Sequence, residues 1–180
     1  MVVFALLGAF TWTLLEYCIH RWAGHDRRFR KNVFAKEHIR HHIEGNYFAP
    51  TWKKALFTLA LTAVLAPIFA FLLGPAHGLS YVGGLIAFYT CYEVLHRLEH
   101  VHAGFGPYGR WARRHHFYHH FVNAKMNHGV TTPIWDLVFG TYRRVDEVIS
   151  VPAKLSMPWL RDPQTGKARP EHEGSFVIAS

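Results

Sequence analysis

Apolar and polar positions alternate in long blocks along this chain. Met1–Ile19 is apolar as far as Glu16, and Ala55–Tyr92 contains no Asp, Glu, Lys or Arg. Gly74-Pro75-Ala76-His77-Gly78 interrupts the second block near its middle. A membrane-spanning helix needs about 20 apolar residues. Ala55–Leu73 and Leu79–Arg97 each come close, so the pattern predicts a helical hairpin with a tight turn. Pro67 falls inside the first arm, where membrane helices tolerate it. Met1–Ile19 is a third apolar segment; without a basic leader or a small-residue cleavage site it does not read as a signal peptide. Between these blocks, Asn32–Gly45 predicts a short helix stopped by Gly45-Asn46. Gly104–Gly109 predicts a loop, and Arg110–Val122 another helix. From Val145 onward four prolines and mixed charges show no period, which predicts surface structure or partial disorder. The expectation is an all-α integral membrane protein, with a functional domain over 1–143 and a surface tail over 144–180.

Charge sharpens this picture. The formal net charge is +8, from 20 Lys and Arg against 12 Asp and Glu. Nine of the basic residues lie between Arg21 and Lys54, including the run Arg27–Lys31, and the other 11 follow Leu95. The positive-inside rule puts both flanks on the cytoplasmic face. A hairpin crosses twice and returns the chain to the side it left. Nucleic acid is not the expected partner, because binding to it leaves the charge-free run unexplained. Cys18 and Cys91 form no CxxC pair and read as buried small hydrophobes, not as a disulfide.

The chemistry lies in the histidines, 15 in all. HIRHH (38–42) and HFYHH (116–120) share one spacing. Positions three and four apart lie on one side of a helix, so each trio is expected to face one way. His96 and His100 are four apart. His25 is five beyond His20, about 140° round an ideal helix, so the two meet only if the helix ends between them, with Gly24 as the expected stop. His77, in the opposite loop, and His102, off the His96 face, are set aside. Ten candidate ligands remain: His20, His25, His38, His41, His42, His96, His100, His116, His119 and His120. Structural zinc takes about four ligands, often with Cys; ten nitrogens suit two ions. Imidazole accepts Fe, Zn, Cu and Ni. Beside a membrane the abundant substrate is a lipid with unactivated C–H bonds, which redox-inert zinc cannot oxidise. Two Fe ions with O₂ are therefore expected, with Zn as a substitute on isolation. Carboxylates commonly orient such rings; of Glu16, Glu93 and Glu99, Glu93 is the favoured candidate, with a plain salt bridge as its alternative.

EYCIHRWAGH (16–25), HIRHH, HRLEH (96–100), HFYHH and NHGVTTPIWDLVFGTY (127–142) together resemble the fatty acid hydroxylase/sterol desaturase superfamily, nearest its fatty acid 2-hydroxylase branch. The resemblance implies a membrane domain of three to four helices and a cytosolic helical cap holding a dinuclear metal site. It implies O₂- and two-electron-dependent hydroxylation of a fatty-acyl chain, with the ten histidines as ligands. The acyl chain is expected near Phe117, Trp135 and Phe139; Trp135 and Phe139 read equally well as cap core. Relatives commonly have four spans where three are legible here. Met1 stands where a second span of the family would begin, which puts the N-terminus on the non-cytoplasmic side. Eukaryotic hydroxylases often carry a fused cytochrome b5 domain. Nothing here resembles one, so a separate electron-transfer protein of cytochrome b5 or ferredoxin type is expected. His115 is an additional histidine beside HFYHH. His128 stands where relatives often have an aromatic residue and reads as a pocket or outer-sphere group. Alternatives are a sterol or carotenoid oxidase or desaturase of the same superfamily, or a non-catalytic membrane metal-binding protein.

Overall fold

The computed structural model describes residues 1–29, 31–104 and 106–179. Arg30, in the basic run 27–31, and Phe105, in the expected loop 104–109, lie outside the described residues. The protein is mostly helical and divides into two compact units. One comprises Met1–Glu16 and Ala49–Val94; the other comprises Tyr17–Phe48 and Leu95–Ser180.

The first unit is built from α1 (Val2–Cys18) up to Glu16, α3 (Thr51–Leu73) and most of α4 (Pro75–Val101). The turn between α3 and α4 falls where the sequence predicts it. Gly74 takes φ +80, a left-handed conformation that side chains disfavour, and Pro75 opens the next helix. α3 buries none of its residues, as an apolar helix facing lipid would. Lys54 and Glu93 pair between α3 and α4. Two helical stretches are long and apolar enough to cross a membrane, Val2–His25 and Thr51–Leu73. The expected third span, Leu79–Arg97, is not among them. Ser80, Tyr81, Gly83, Gly84, Tyr89 and Thr90 dilute its apolar character, and it closes on Glu93, His96 and Arg97. Both cysteines are free, and neither is buried as expected: Cys91 is exposed and Cys18 half-buried. His77 belongs to α4 and stacks on Phe4 with ring centroids 4.5 Å apart.

α1 and α4 touch backbone to backbone at two glycines. A Cβ on Gly8 would lie 1.9 Å from the Tyr81 carbonyl oxygen, and one on Gly84 1.9 Å from that of Ala5. Small residues permit such approach in apolar bundles. Trp12 packs edge-on against Tyr89 at 4.8 Å.

The second unit holds the π-helical turn Ile19–His25, α2 (Val33–Glu44), the end of α4, α5 (Gly106–Phe121), α6 (Ile134–Val138) and the strands β1 (Ile149–Pro152) and β2 (Phe176–Ala179). Asn32 caps α2, its side chain accepting from the Ala35 N–H at 2.8 Å and donating to the Ala23 carbonyl at 2.9 Å. α5 starts four residues earlier than expected, because Pro107 suits the first turn of a helix.

The tail is the larger correction. It is neither loose nor wholly non-β: β1 and β2 pair in parallel, Ile149 beside Phe176 and Val151 beside Ile178. Ile149, Val151, Met157, Leu160, Ala168 and Phe176 form a core with Phe117 and Tyr118 of α5. Apolar residues spread over short strands and turns have no period to detect, yet they cover one side of α5. Phe117 is therefore core, not a surface for an acyl chain.

Gly84→Val is expected to force α1 and α4 apart and lower stability in detergent by about 1–3 kcal/mol or more, the usual cost of overpacking. Gly83→Ala, with open space beside it, is the control. Equal melting temperatures for the two variants would contradict the close approach.

Candidate metal centre

Four elements of the second unit supply histidines. The π-helical turn contributes His20 and His25, α2 His38, His41 and His42, the end of α4 His96 and His100, and α5 His116, His119 and His120. The rings form two groups. His20, His25, His38, His42 and His119 make the first; His41, His96, His100, His116 and His120 make the second. Within each group, one nitrogen per ring lies within 4.8 Å of all the others. These are the ten histidines singled out from the sequence. His77, His102 and His115 lie outside both groups.

The HxxHH trios do not face one way. His38 and His42, four apart, serve the first group, while His41 serves the second. In α5 the assignment is reversed: His116 and His120 serve the second group and His119 the first. Adjacent residues stand about 100° apart round a helix, so one motif reaches two centres. His42 and His120 stack between the groups, centroids 3.9 Å apart and planes at 7°.

His20 and His25 meet by a different device from the one expected. The helix does not stop at Gly24; it widens to π geometry over Ile19–His25. Hydrogen bonding from i to i+5 makes five residues roughly one turn, which brings the two rings to 5.2 Å. Gly24 serves approach, not termination: a Cβ there would lie 3.0 Å from the His38 ring and 3.3 Å from Phe34.

Backbone carbonyls aim the rings. Nδ1 of His20 lies 2.5 Å from the His128 carbonyl oxygen, that of His41 2.6 Å from Tyr47 and that of His119 2.8 Å from Met126. A proton on each Nδ1 leaves Nε2 bare, as a metal ligand requires. The Nε2 atoms of His119, His25, His38 and His42 follow one another at 2.9, 2.8 and 3.0 Å. A ring nitrogen offers one hydrogen or one lone pair, yet those of His25 and His38 each stand in two contacts, so the three cannot all be hydrogen bonds. Nε2 of His20 and both ring nitrogens of His120 are buried without a hydrogen-bond partner among the described residues. Convergent, bare, buried lone pairs fit a cation in each group.

Burial first, and repulsion from neighbouring imidazoles second, hold His38, His42, His116, His119 and His120 well below the ordinary histidine range. They are neutral at pH 7, the form that binds metal.

Asp136 was not anticipated. It is fully buried on α6. Its carboxylate accepts from the N–H groups of His128 and Gly129, both at 2.8 Å, and from the Thr141 hydroxyl at 2.7 Å. Burial alone would raise its pKa, yet hydrogen bonds from His115, Gly129 and Thr141 hold it below the usual carboxylate range. It fixes the loop whose carbonyl aims His20. The signal was available, since Asp136 is the one charged residue between Lys125 and Arg143. The carbonyl acceptors left none, because every residue carries one. Glu93, the favoured orienting carboxylate, instead pairs with Lys54. The tail also reaches the second group: Trp159 Nε1 donates to the His100 carbonyl at 2.8 Å.

A helical protein with apolar, membrane-length helices and two buried five-histidine groups has the attributes of a membrane-associated metalloprotein. The fatty acid hydroxylase family model matches residues 5–141, and the chain belongs to that family. It is 30% identical over 151 residues to the ceramide very long chain fatty acid hydroxylase SCS7 of Saccharomyces cerevisiae, covering 80% of this chain and 39% of that protein. It is 31% identical to an Arabidopsis thaliana dihydroceramide fatty acyl 2-hydroxylase (74% and 58% covered) and 29% identical to human fatty acid 2-hydroxylase (76% and 38%). The chain thus spans between about two-fifths and three-fifths of these relatives' lengths. The visible hydroxylase domain of full-length scs7p superposes with a TM-score of 0.62 at 30% identity, covering 83% of this chain and 60% of that one.

Asp136→Ala strands two buried N–H groups and a hydroxyl, at about 1–3 kcal/mol each. It should lower the stability of the metal-free protein by roughly 3 kcal/mol or more; a change below about 0.5 kcal/mol, the usual bound for surface substitutions, would contradict this role. The metal-free protein should also lose stability with acidity. The folded rings titrate below the unfolded value of about 6.5, so below that pH the unfolded chain takes up protons that the folded chain refuses. Stability is complete above pH 6.5 and declines beneath it. Equal melting temperatures at pH 7.5 and 5.5 would refute it.

Proposed function

We propose that this chain is an O₂-dependent lipid hydroxylase that holds two irons and inserts a hydroxyl at carbon 2 of a fatty-acyl chain. The observation that carries the proposal is the gathering of ten imidazoles into two adjacent groups of five, in a chain of the fatty acid hydroxylase family. His20, His25, His38, His42 and His119 would hold one ion; His41, His96, His100, His116 and His120 would hold the other. The irons, when bound, supply the reductive activation of O₂ that an unactivated C–H bond requires. Overall, R–H, O₂, two electrons and two protons give R–OH and water. The electrons come from a separate protein of cytochrome b5 or ferredoxin type.

The protein's own part is positioning and exclusion of water. Carbonyls of Tyr47, Met126 and His128 fix the rings, and Asp136 fixes the loop that carries one of those carbonyls. α6 turns Asp136 inward while Ile134, Leu137 and Val138, three and four residues apart, are exposed beside Phe139. An exposed apolar face of this kind supports a lipid substrate. Basic residues on both flanks of the Ala55–Tyr92 block support a cytoplasmic active face, with α3 and α4 as an in-and-out hairpin.

The iron-loaded protein, given a competent one-electron donor and fatty-acyl lipid, should consume O₂ and yield a 2-hydroxyacyl product detectable by mass spectrometry. His41→Ala and His119→Ala, one from each group, should each abolish it. Iron bound without O₂ uptake on any lipid would reduce the protein to a metal carrier. A product lacking oxygen, or an oxidised sterol or carotenoid, would move it to another chemistry.

A further inference from the structure

One histidine near the first group lends its backbone to the arrangement above, but its ring has no role there. His128 is 3% exposed. Its ring packs 5.1 Å from that of His119, 5.5 Å from His20 and 5.7 Å from His25, measured between centroids. Its Nδ1 is buried without a hydrogen-bond partner among the described residues, so this nitrogen is free to donate a lone pair to a cation.

The backbone around it is over-determined. Asn127, just before it, is the single non-glycine residue with positive φ, +58, among the described residues. Such a conformation persists only where surroundings enforce it, and it concentrates at functional sites. Here Asn127 Oδ1 accepts from the Arg143 N–H at 2.7 Å, its Nδ2 donates to the Arg143 carbonyl at 3.0 Å, and its N–H donates to the Thr141 carbonyl at 2.8 Å. Asp136 holds the N–H of His128 itself. Every one of these contacts is made by backbone or by a neighbour. None needs an imidazole at position 128, so the loop's integrity does not account for the ring.

We propose that His128 is a sixth nitrogen donor to the first group, bringing its set to His20, His25, His38, His42, His119 and His128. The inference deepens the metal-centre reading above and rests on it. It makes the two sites unequal, six donors against five, so the first should bind a divalent cation more tightly and with fewer open positions.

The test uses the full-length purified protein, stripped of metal and titrated with Co²⁺ against a chelator, with the visible Co²⁺ spectrum recorded. His128→Ala and the bulkier His128→Gln are compared with wild type. Both are also made in a His100→Ala/His116→Ala background that leaves the first group alone intact. If His128 is a donor, affinity at the first group falls about 10- to 100-fold or more, as for lost supporting ligands. Absorptivity changes as coordination number drops, while apo-protein melting temperatures hold. Two ions bound by wild type with unchanged affinity and spectrum in both variants overturns the sixth donor and leaves the metal centre standing. No Co²⁺ bound by wild type overturns both.

Discussion

Bare imidazole nitrogens cannot be crowded together in a dry interior without something to share them. Ring nitrogens of His119, His25, His38 and His42 follow one another at 2.8–3.0 Å, and protons cannot satisfy every contact. A buried unsatisfied polar atom costs about 1–3 kcal/mol, so a chain that collects such atoms needs a cation or must hold the strain elsewhere. Much of the second unit is explained as the means of holding it: carbonyls that donate no proton of their own, an aspartate that accepts from His115, His128, Gly129 and Thr141, and a tail that covers the far side of α5.

The division of labour within the HxxHH motifs follows from the same constraint. A helix cannot aim three neighbouring rings at one point, because residues 119 and 120 are about 100° apart round the axis. It can aim two at one centre and one at another. α2 and α5 do this with opposite assignments, so each group receives rings from both helices and the two groups stand side by side. The stacked rings of His42 and His120 put two candidate cation sites side by side.

Stability and function are linked unevenly across the chain. The first unit relies on glycine-mediated approach of α1 to α4 and on an α3 that buries nothing, features that suit an apolar solvent. The second relies on hydrogen bonds to backbone and on the apolar cluster behind α5. The site therefore depends on segments far apart in sequence: Trp159 holds the carbonyl of His100, and Asp136 holds the loop that aims His20.

The sequence by itself determined the helical class, the α3–α4 turn at Gly74, the short helix over 33–44 and the identity of all ten clustered histidines. Each rests on local physics: apolar block length, turn residues, and a helical period that repeats chemistry every three or four positions. It did not reveal which ring joins which group, because two centres and one centre produce the same spacing. It did not reveal the π-helical turn, since His20 and His25 have the same spacing in the sequence whether the helix ends or widens between them. The tail's core and the orienting role of Asp136 were likewise settled by tertiary packing. Strands of four residues carry too little pattern to read, and an acceptor's importance depends on which donors the fold brings within 3 Å of it.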